Sequence, residues 1–158
     1  MRTIKALAVA LAVVAVPYST FAADPFVGTY RLNAAKSATS GGQMPAQMTL
    51  TISEDGANLL VETAGKTAAG ADISADVLTL PKAGGTVKAP ASERNFDSTV
   101  VKRTNANTID LVAMQKGKER TRVKFALSRD GKTLTRSFTS TNAQGRPVQG
   151  STVLEREF

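Results

Sequence analysis

The 158-residue sequence predicts an all-β protein, an up-and-down antiparallel meander of about eight to ten strands closed into a barrel. Three observations predict this fold class. Apolar and polar residues alternate with a period of two, tight turn sequences separate the alternating runs, and no helical period follows residue 23. Strands joined by such short turns are antiparallel neighbours. A sandwich of two sheets fits the same periodicity and stays open as the alternative.

The chain begins with the pattern of a secretory signal peptide. Met1–Lys5 is basic, Ala6–Val16 is an unbroken run of Ala, Leu and Val, and Pro17 ends the run where small residues begin. The run is too short to span a bilayer comfortably. We therefore expect a leader, export to the periplasm or beyond the cell, and no membrane span.

Cleavage of the leader is expected near Ala22 or Ala23. A cut after Ala22 leaves Thr20 and Ala22 at the small-residue positions, whereas a cut after Ala23 would place bulky Phe21 at one of them. We favour the first. The predicted organisation is a signal peptide over residues 1–22 and a single β-barrel domain over residues 23–158.

Composition excludes several classes of function. The chain has no cysteine and no histidine, so the usual zinc and haem ligands and the Ser-His-Asp and Cys-His sites are absent. Loss of Arg2 and Lys5 with the leader lowers the net charge from +7 to +5. These cations are spread along strands and turns, which is typical of a solvated surface and not of a nucleic-acid interface. We expect no cofactor, no metal and no nucleic acid.

The first half of the mature chain contains one strand and one hairpin. Phe26–Leu32 alternates as a first strand, and Asn33 begins a single helical turn as its N-cap. Met48, Leu50 and Ile52 then alternate with Thr and Ser before the Asp55-Gly56 turn returns the chain along a second strand. A further strand is predicted over residues 76–80, and residues 82–93 are predicted to be an exposed loop because they are rich in glycine.

The second half reads as five consecutive strands, with the strongest signal in the hairpin Val123–Phe138. Val123, Phe125 and Leu127 alternate with polar or small residues, and Asp130-Gly131 is a strong turn sequence. The predicted strands cover residues 96–103, 108–115, 120–128, 132–141 and 148–155.

The segment Gly28–Ser37, with the sequence GTYRLNAAKS, resembles the start of a widespread family of small exported bacterial proteins often called lipocalin-like and mostly of unknown function. Residues 101–109, 128–135 and 142–148 follow in the order of that family's strand and turn motifs. Tyr30 replaces the usual Trp, and residues 77–93 lack the family's pattern. The resemblance implies a lipocalin-like barrel.

A second resemblance concerns closure of the barrel. Lipocalins also open with Gly-x-Trp, and an arginine from the end of their barrel packs across the indole. Gly28 and Tyr30 are the matching residues here, with Arg156 as the arginine. A cation over a ring contributes about 0.5–2 kcal/mol, which would help to hold the first strand against the last. The alternative is that Tyr30 is an ordinary core residue and Arg156 an exposed charge.

The favoured function is non-catalytic binding of a small apolar or amphipathic acidic ligand by a monomeric barrel. Arg136 shares a strand face with Leu134 and Phe138, so an inward orientation would require an anionic partner, whereas a splayed strand end would let it reach water. Five residues are predicted to line the ligand site: Met48, Leu50, Phe125, Arg136 and Phe138.

Two other classes of function remain open. A periplasmic protein-interaction or envelope-maintenance module would have a filled interior and would bind through an exposed edge or the 82–93 loop. An enzyme would need a carboxylate pair, for which Asp72, Asp76 and Asp110 are the candidates, but carboxylates in this chain lie beside turns or at polar strand positions. We therefore predict that the protein is not an enzyme.

Overall fold

The structure, a computed structural model, describes residues 22–40, 43–74, 77–89, 96–142 and 144–158. It confirms the all-β antiparallel meander. One short 3₁₀ turn, Ala34–Lys36, accompanies a single sheet of twelve strands. The strands are β1 (Gly28–Leu32), β2 (Ala38–Ser40), β3 (Gln47–Asp55), β4 (Asn58–Lys66), β5 (Asp72–Ser74), β6 (Leu78–Pro81), β7 (Gly85–Lys88), β8 (Ser98–Asn105), β9 (Thr108–Gln115), β10 (Lys118–Leu127), β11 (Thr133–Thr141) and β12 (Pro147–Arg156).

The twelve strands occupy ten positions in the sheet. β1 and β2 lie along the same edge of β12, and β5 and β6 lie along the same edge of β4. The order is therefore β5/β6, β4, β3, β1/β2, β12, β11, β10, β9, β8 and β7. Within the described residues, no backbone ladder joins β5/β6 to β7, so the sheet is not closed by hydrogen bonds.

The expectation of a loop over residues 82–93 was wrong for residues 85–88, which form a strand although most of them are exposed, as expected. This strand, β7, pairs with β8, with Val87 opposite Thr99. Pro81 and Gly84 close a tight turn before this strand, and Gly84 has a φ of +81°, a conformation that glycine adopts without strain. The sequence did not predict this strand, because glycine has no side chain and so cannot show the alternation of apolar and polar residues that marks a strand. Residues 90–93 lie outside the described residues.

The hairpin of β10 and β11 has the predicted turn and the predicted alternation along each strand. Val123, Phe125 and Leu127 face Phe138, Arg136 and Leu134 across the ladder, so all six side chains lie on one face. The turn is fixed by Asp130, which accepts hydrogen bonds from the Ser128 hydroxyl and the Lys132 amide. These bonds lower the pKa of the Asp130 carboxyl.

The hydrophobic core is concentrated at one end of the barrel, which we call the closed end. The hairpin turns after β3, β8 and β10 meet there, together with residue 24 and the end of β12. The least exposed side chains cluster at this end. The largest of them are Phe26, Tyr30, Leu59, Leu80, Leu134 and Leu154.

The motif residues after β1 attach the 3₁₀ turn to the last strand. Asn33 caps the turn by accepting from the Lys36 amide, as predicted, and its side-chain amide donates to Glu155 at 2.9 Å. The Lys36 ammonium lies 2.9 Å from the same carboxylate and lowers the pKa of Glu155. Ser37 accepts from the Val153 amide at 2.8 Å. The polar side chains of this segment therefore stabilise the fold by binding β12.

We predict that Phe125→Ala destabilises the protein by about 3–5 kcal/mol, because the ring is 3 % exposed and its loss leaves a cavity. Lys124→Ala is the matched control, since its side chain lies on the outer face, 3.9 Å from Asp110. It should change the free energy of unfolding by less than about 0.5 kcal/mol. Urea melts measure both, and equal losses would contradict the assigned faces.

Candidate functional site

The closed end is sealed by the segment that precedes β1. Phe26 and Tyr30 are fully buried, and the Tyr30 hydroxyl donates to the Phe26 carbonyl at 2.9 Å. The Arg156 guanidinium lies 5.0 Å from the centre of the Tyr30 ring and donates to the Tyr30 hydroxyl and to the Pro25 carbonyl. Burial raises the pKa of Tyr30. The structure therefore brings the first and last strands together through this contact.

Gly28 makes the approach of Arg156 possible. A Cβ at position 28 would lie 3.2 Å from Arg156 Nε, and the φ of Gly28 is +154°. The arginine side chain thus crosses β1 where there is no side chain to obstruct it. The Arg156 side chain thus contacts both Gly28 and the Tyr30 ring, which is the arrangement that the resemblance implied.

A second arginine, which sequence reasoning missed, holds the same segment from the opposite wall. Arg103 of β8 binds both carboxylate oxygens of Asp24, at 2.5 and 3.1 Å, and its guanidinium lies 5.5 Å from the centre of the Phe26 ring. The Arg103 and Asp24 side chains are only 17 % and 9 % exposed. Two arginines therefore each contact one ring of the sealing segment.

Away from the closed end, the inner positions keep partial access to solvent. On β10, Phe125 and Leu127 are buried but Val123 is only half-buried, and on β11 Leu134 is buried whereas Phe138 is half-buried. The inward positions of β4, β9 and β12 show the same change, whereas Met48 on β3 and Thr99 on β8 stay buried. Thr63, Ile73, Val87, Ala113 and Val148 are all half-buried. The interior is consequently filled at one end and accessible at the other, which we call the open end.

Arg136 lies at the boundary between the two halves of the interior. It stands opposite Phe125 on one side and Thr152 on the other, and both of these neighbours are buried. The guanidinium contacts the Phe138 ring at 5.9 Å from its centre. Among the described residues no carboxylate lies within ion-pair distance of Arg136, and no hydrogen bond from it is formed.

The electrostatics of Arg136 follow from this position. Burial lowers the pKa of its guanidinium, and no carboxylate of the described residues opposes that shift. Protein surrounds the side chain on most sides, yet part of its surface is solvent-accessible. An arginine stays charged under these conditions. The cation is therefore available to an anion that enters the interior from the open end.

Phe138 provides an apolar surface next to this cation. Its ring rests on the backbone of β12, because a Cβ at Gly150 would lie only 2.6 Å from Phe138 Cε1. A groove of about 490 Å³ borders the ring between β2, β12 and β11. The remaining predicted lining residues, Met48, Leu50 and Phe125, belong to the buried core cluster and are at most 6 % exposed. Arg136 and Phe138 are thus adjacent and accessible, while the other three form the packed surroundings.

The carboxylates considered for catalysis are not brought together. Asp72 on β5 pairs with Lys66, at 2.6 Å, and Asp110 on β9 accepts from the Thr104 hydroxyl. β5 and β9 are not neighbours in the sheet, and Asp76 lies outside the described residues. The part of the chain described by the structure contains no group of three or more acidic residues placed to hold a metal ion. It also contains no helix long and apolar enough to cross a membrane.

Comparison with known proteins identifies the fold and no family. No known protein family matches the chain, and no curated protein matches it either. Among solved structures, zebrafish ileal bile acid-binding protein complexed with cholic acid is similar, with a TM-score of 0.53 and 10% sequence identity. The match covers 84% of this chain and 99% of that one. The similarity shows a shared β-barrel architecture.

We predict that Tyr30→Phe lowers the free energy of unfolding by about 1–2 kcal/mol, because Arg156 loses an acceptor and the Phe26 carbonyl loses a donor in a buried place. Arg31→Gln, one position along the strand, is the control. Its ion pair with Glu157 is exposed and should contribute at most about 0.5 kcal/mol. Thermal or urea melts compare the two, and an unchanged Tyr30→Phe protein would argue against the contact.

Proposed function

We propose that this protein is an exported, monomeric, non-catalytic binding protein for a small amphipathic acid. The acid group binds Arg136, and the apolar part lies against Phe138 toward the open end. The observation that carries the proposal is a partly enclosed arginine without a carboxylate partner among the described residues. Removing such a cation from water is costly unless an anion compensates it.

The fold supports a ligand in this position. The similar zebrafish protein is complexed with cholic acid, so a fold of this kind is compatible with a bound small molecule. That is an argument from fold, and the chemistry of the ligand rests on Arg136 alone. Guanidinium and carboxylate form paired charge-assisted hydrogen bonds, which are stronger where water is partly excluded.

The same proposal includes the export of the protein and the family to which it belongs. The basic, apolar and small-residue pattern of residues 1–22 supports export to the periplasm or the medium. The Gly28–Ser37 pattern supports membership of the small exported lipocalin-like family. Both features suit a binding protein of the cell envelope.

One observation favours a second function, a protein-interaction module. β7 and β5/β6 are the edges of the open sheet, and edge strands offer backbone groups to an extended segment of another protein. The two functions differ in the interior, because only the first needs a ligand bound to Arg136. The deciding experiment is native mass spectrometry of the protein purified from its own envelope, followed by melts with a panel of apolar acids.

We predict opposite effects of Arg136→Met on the free and the ligand-bound protein. The free protein should gain about 1–2 kcal/mol, since an uncompensated cation is replaced by an apolar side chain of similar length. A binding acid at a hundredfold over its Kd should stabilise the natural protein by about 2.7 kcal/mol, and the variant should bind it at least about tenfold more weakly.

Two controls accompany this prediction. Lys124→Met removes an exposed cation from the outer face of the neighbouring strand and should change neither the free stability nor the binding. The alcohol that corresponds to each acid tests the head group, because it should bind both proteins about equally. If no acid in the panel stabilises the natural protein, the ligand proposal fails and the interaction module remains.

A further inference from the structure

The bond predicted to be cut during export lies beside a surface groove. Ala22 and Asp24, on the two sides of the new first residue, line a groove of about 560 Å³ together with Glu54, Gly56 and Lys82. The residue between them must then carry its amine at or next to this groove. The feature is independent of the ligand site, since it lies on the rim of the closed end.

One carboxylate oxygen of Glu54, Oε2, accepts no hydrogen bond from the described residues in this groove. Its Oε1 accepts from the Asp24 amide at 2.7 Å and lies 3.3 Å from the Lys82 ammonium. Lys82 also donates to the Gly56 carbonyl at 2.9 Å. No described residue donates to Glu54 Oε2, although the side chain is only 34% exposed. An additional donor can therefore bind without displacing an existing one.

The segment that would present this donor is held in place. Arg103 binds both oxygens of the Asp24 carboxylate, and the Asp24 carbonyl accepts from the Val27 amide at 2.9 Å. Phe26 follows, fully buried. A chain that begins one residue before Asp24 has little freedom to move its first amine away from Glu54.

We propose that this groove is a site for the protein's own processed amino terminus. Hydrolysis by a leader peptidase adds one water across the peptide bond between Ala22 and Ala23. Ala22 leaves with the leader as a carboxylate, and the amine of Ala23 takes up the released proton. The resulting α-ammonium donates to Glu54 Oε2, so that processing adds a charged contact to the seal of the barrel.

The sign of the pH dependence follows from the charges around the amine. The carboxylates of Asp24 and Glu54 and the cations of Lys82 and Arg103 face this place, and Arg103 already satisfies Asp24. Glu54 should therefore raise the folded-state pKa of the α-ammonium above its ordinary value of about 7.7–8.0. The stabilisation is present below that ordinary value and is lost as the pH rises through the folded-state pKa.

The test combines one change at the amino terminus with one change at Glu54, which gives four proteins. The protein beginning at Ala23 is compared with the same protein N-acetylated, and each is made with Glu54 and with Glu54→Gln. At pH 6.5 the free amine should lower the unfolding equilibrium constant about two- to fivefold relative to the acetylated form. The difference should vanish at pH 10 and in Glu54→Gln, while Glu62→Gln, on the outer face of β4, should leave it intact.

A second measurement does not depend on stability. The acid dissociation constant of the α-ammonium, followed by NMR, should be about two- to fivefold smaller with Glu54 than with Gln at this position, as linkage requires. An unchanged constant overturns the proposal, and so does an effect of acetylation that survives Glu54→Gln. N-terminal sequencing of the exported protein that finds a start other than Ala23 also overturns it.

Discussion

The structure depends on the attachment of the segment Asp24–Tyr30 to two walls of the barrel. Arg156 fixes it to the last strand, and Arg103 fixes it to β8 through Asp24. A meander whose edge strands are not joined by a backbone ladder needs another element to hold its walls together. Each cation over a ring contributes about 0.5–2 kcal/mol, and a paired arginine and carboxylate with little exposure adds directional bonds. This seal closes the barrel at one end without closing the sheet.

The asymmetry of the interior follows from the seal. Packing is dense where the sealing segment enters, and it loosens toward the open end along β4, β9, β10, β11 and β12. The three inward arginines illustrate the change. Arg103 and Arg156 find carboxylate, hydroxyl or carbonyl acceptors at the closed end, whereas Arg136, farther along its strand, finds none among the described residues. The same residue type binds protein acceptors at the closed end, although Arg156 Nε has no partner there, and is left to solvent farther along the interior.

Sequence periodicity was sufficient for the long strands and their hairpins and insufficient for contacts between segments distant in the chain. The alternation around Phe125 and the Asp130-Gly131 turn predicted the β10–β11 hairpin and placed Arg136 on one face with Leu134 and Phe138, without deciding whether its side chain reaches water. Periodicity did not reveal the role of Arg103, because its contact with Asp24 depends on how β8 faces a segment 79 residues away. β7 was hidden because glycine carries no periodic signal. The polar pattern of Gly28–Ser37 gave no hint that its Asn, Lys and Ser bind the last strand.

The number of strand positions bears on whether the interior can be filled at all. Eight strands enclose about the space that side chains can fill, and the interior widens as strands are added. This sheet has ten positions, and its inward sites toward the open end include Gly65, Gly150 and Ala113. Phe138 supplies the one bulky aromatic ring among the described inward strand positions at this end, and it packs against Gly150. Side chains this small do not enclose Arg136, which has no carboxylate partner among the described residues, so water solvates the free cation, and the proposed amphipathic acid would replace that water with a carboxylate beside the ring.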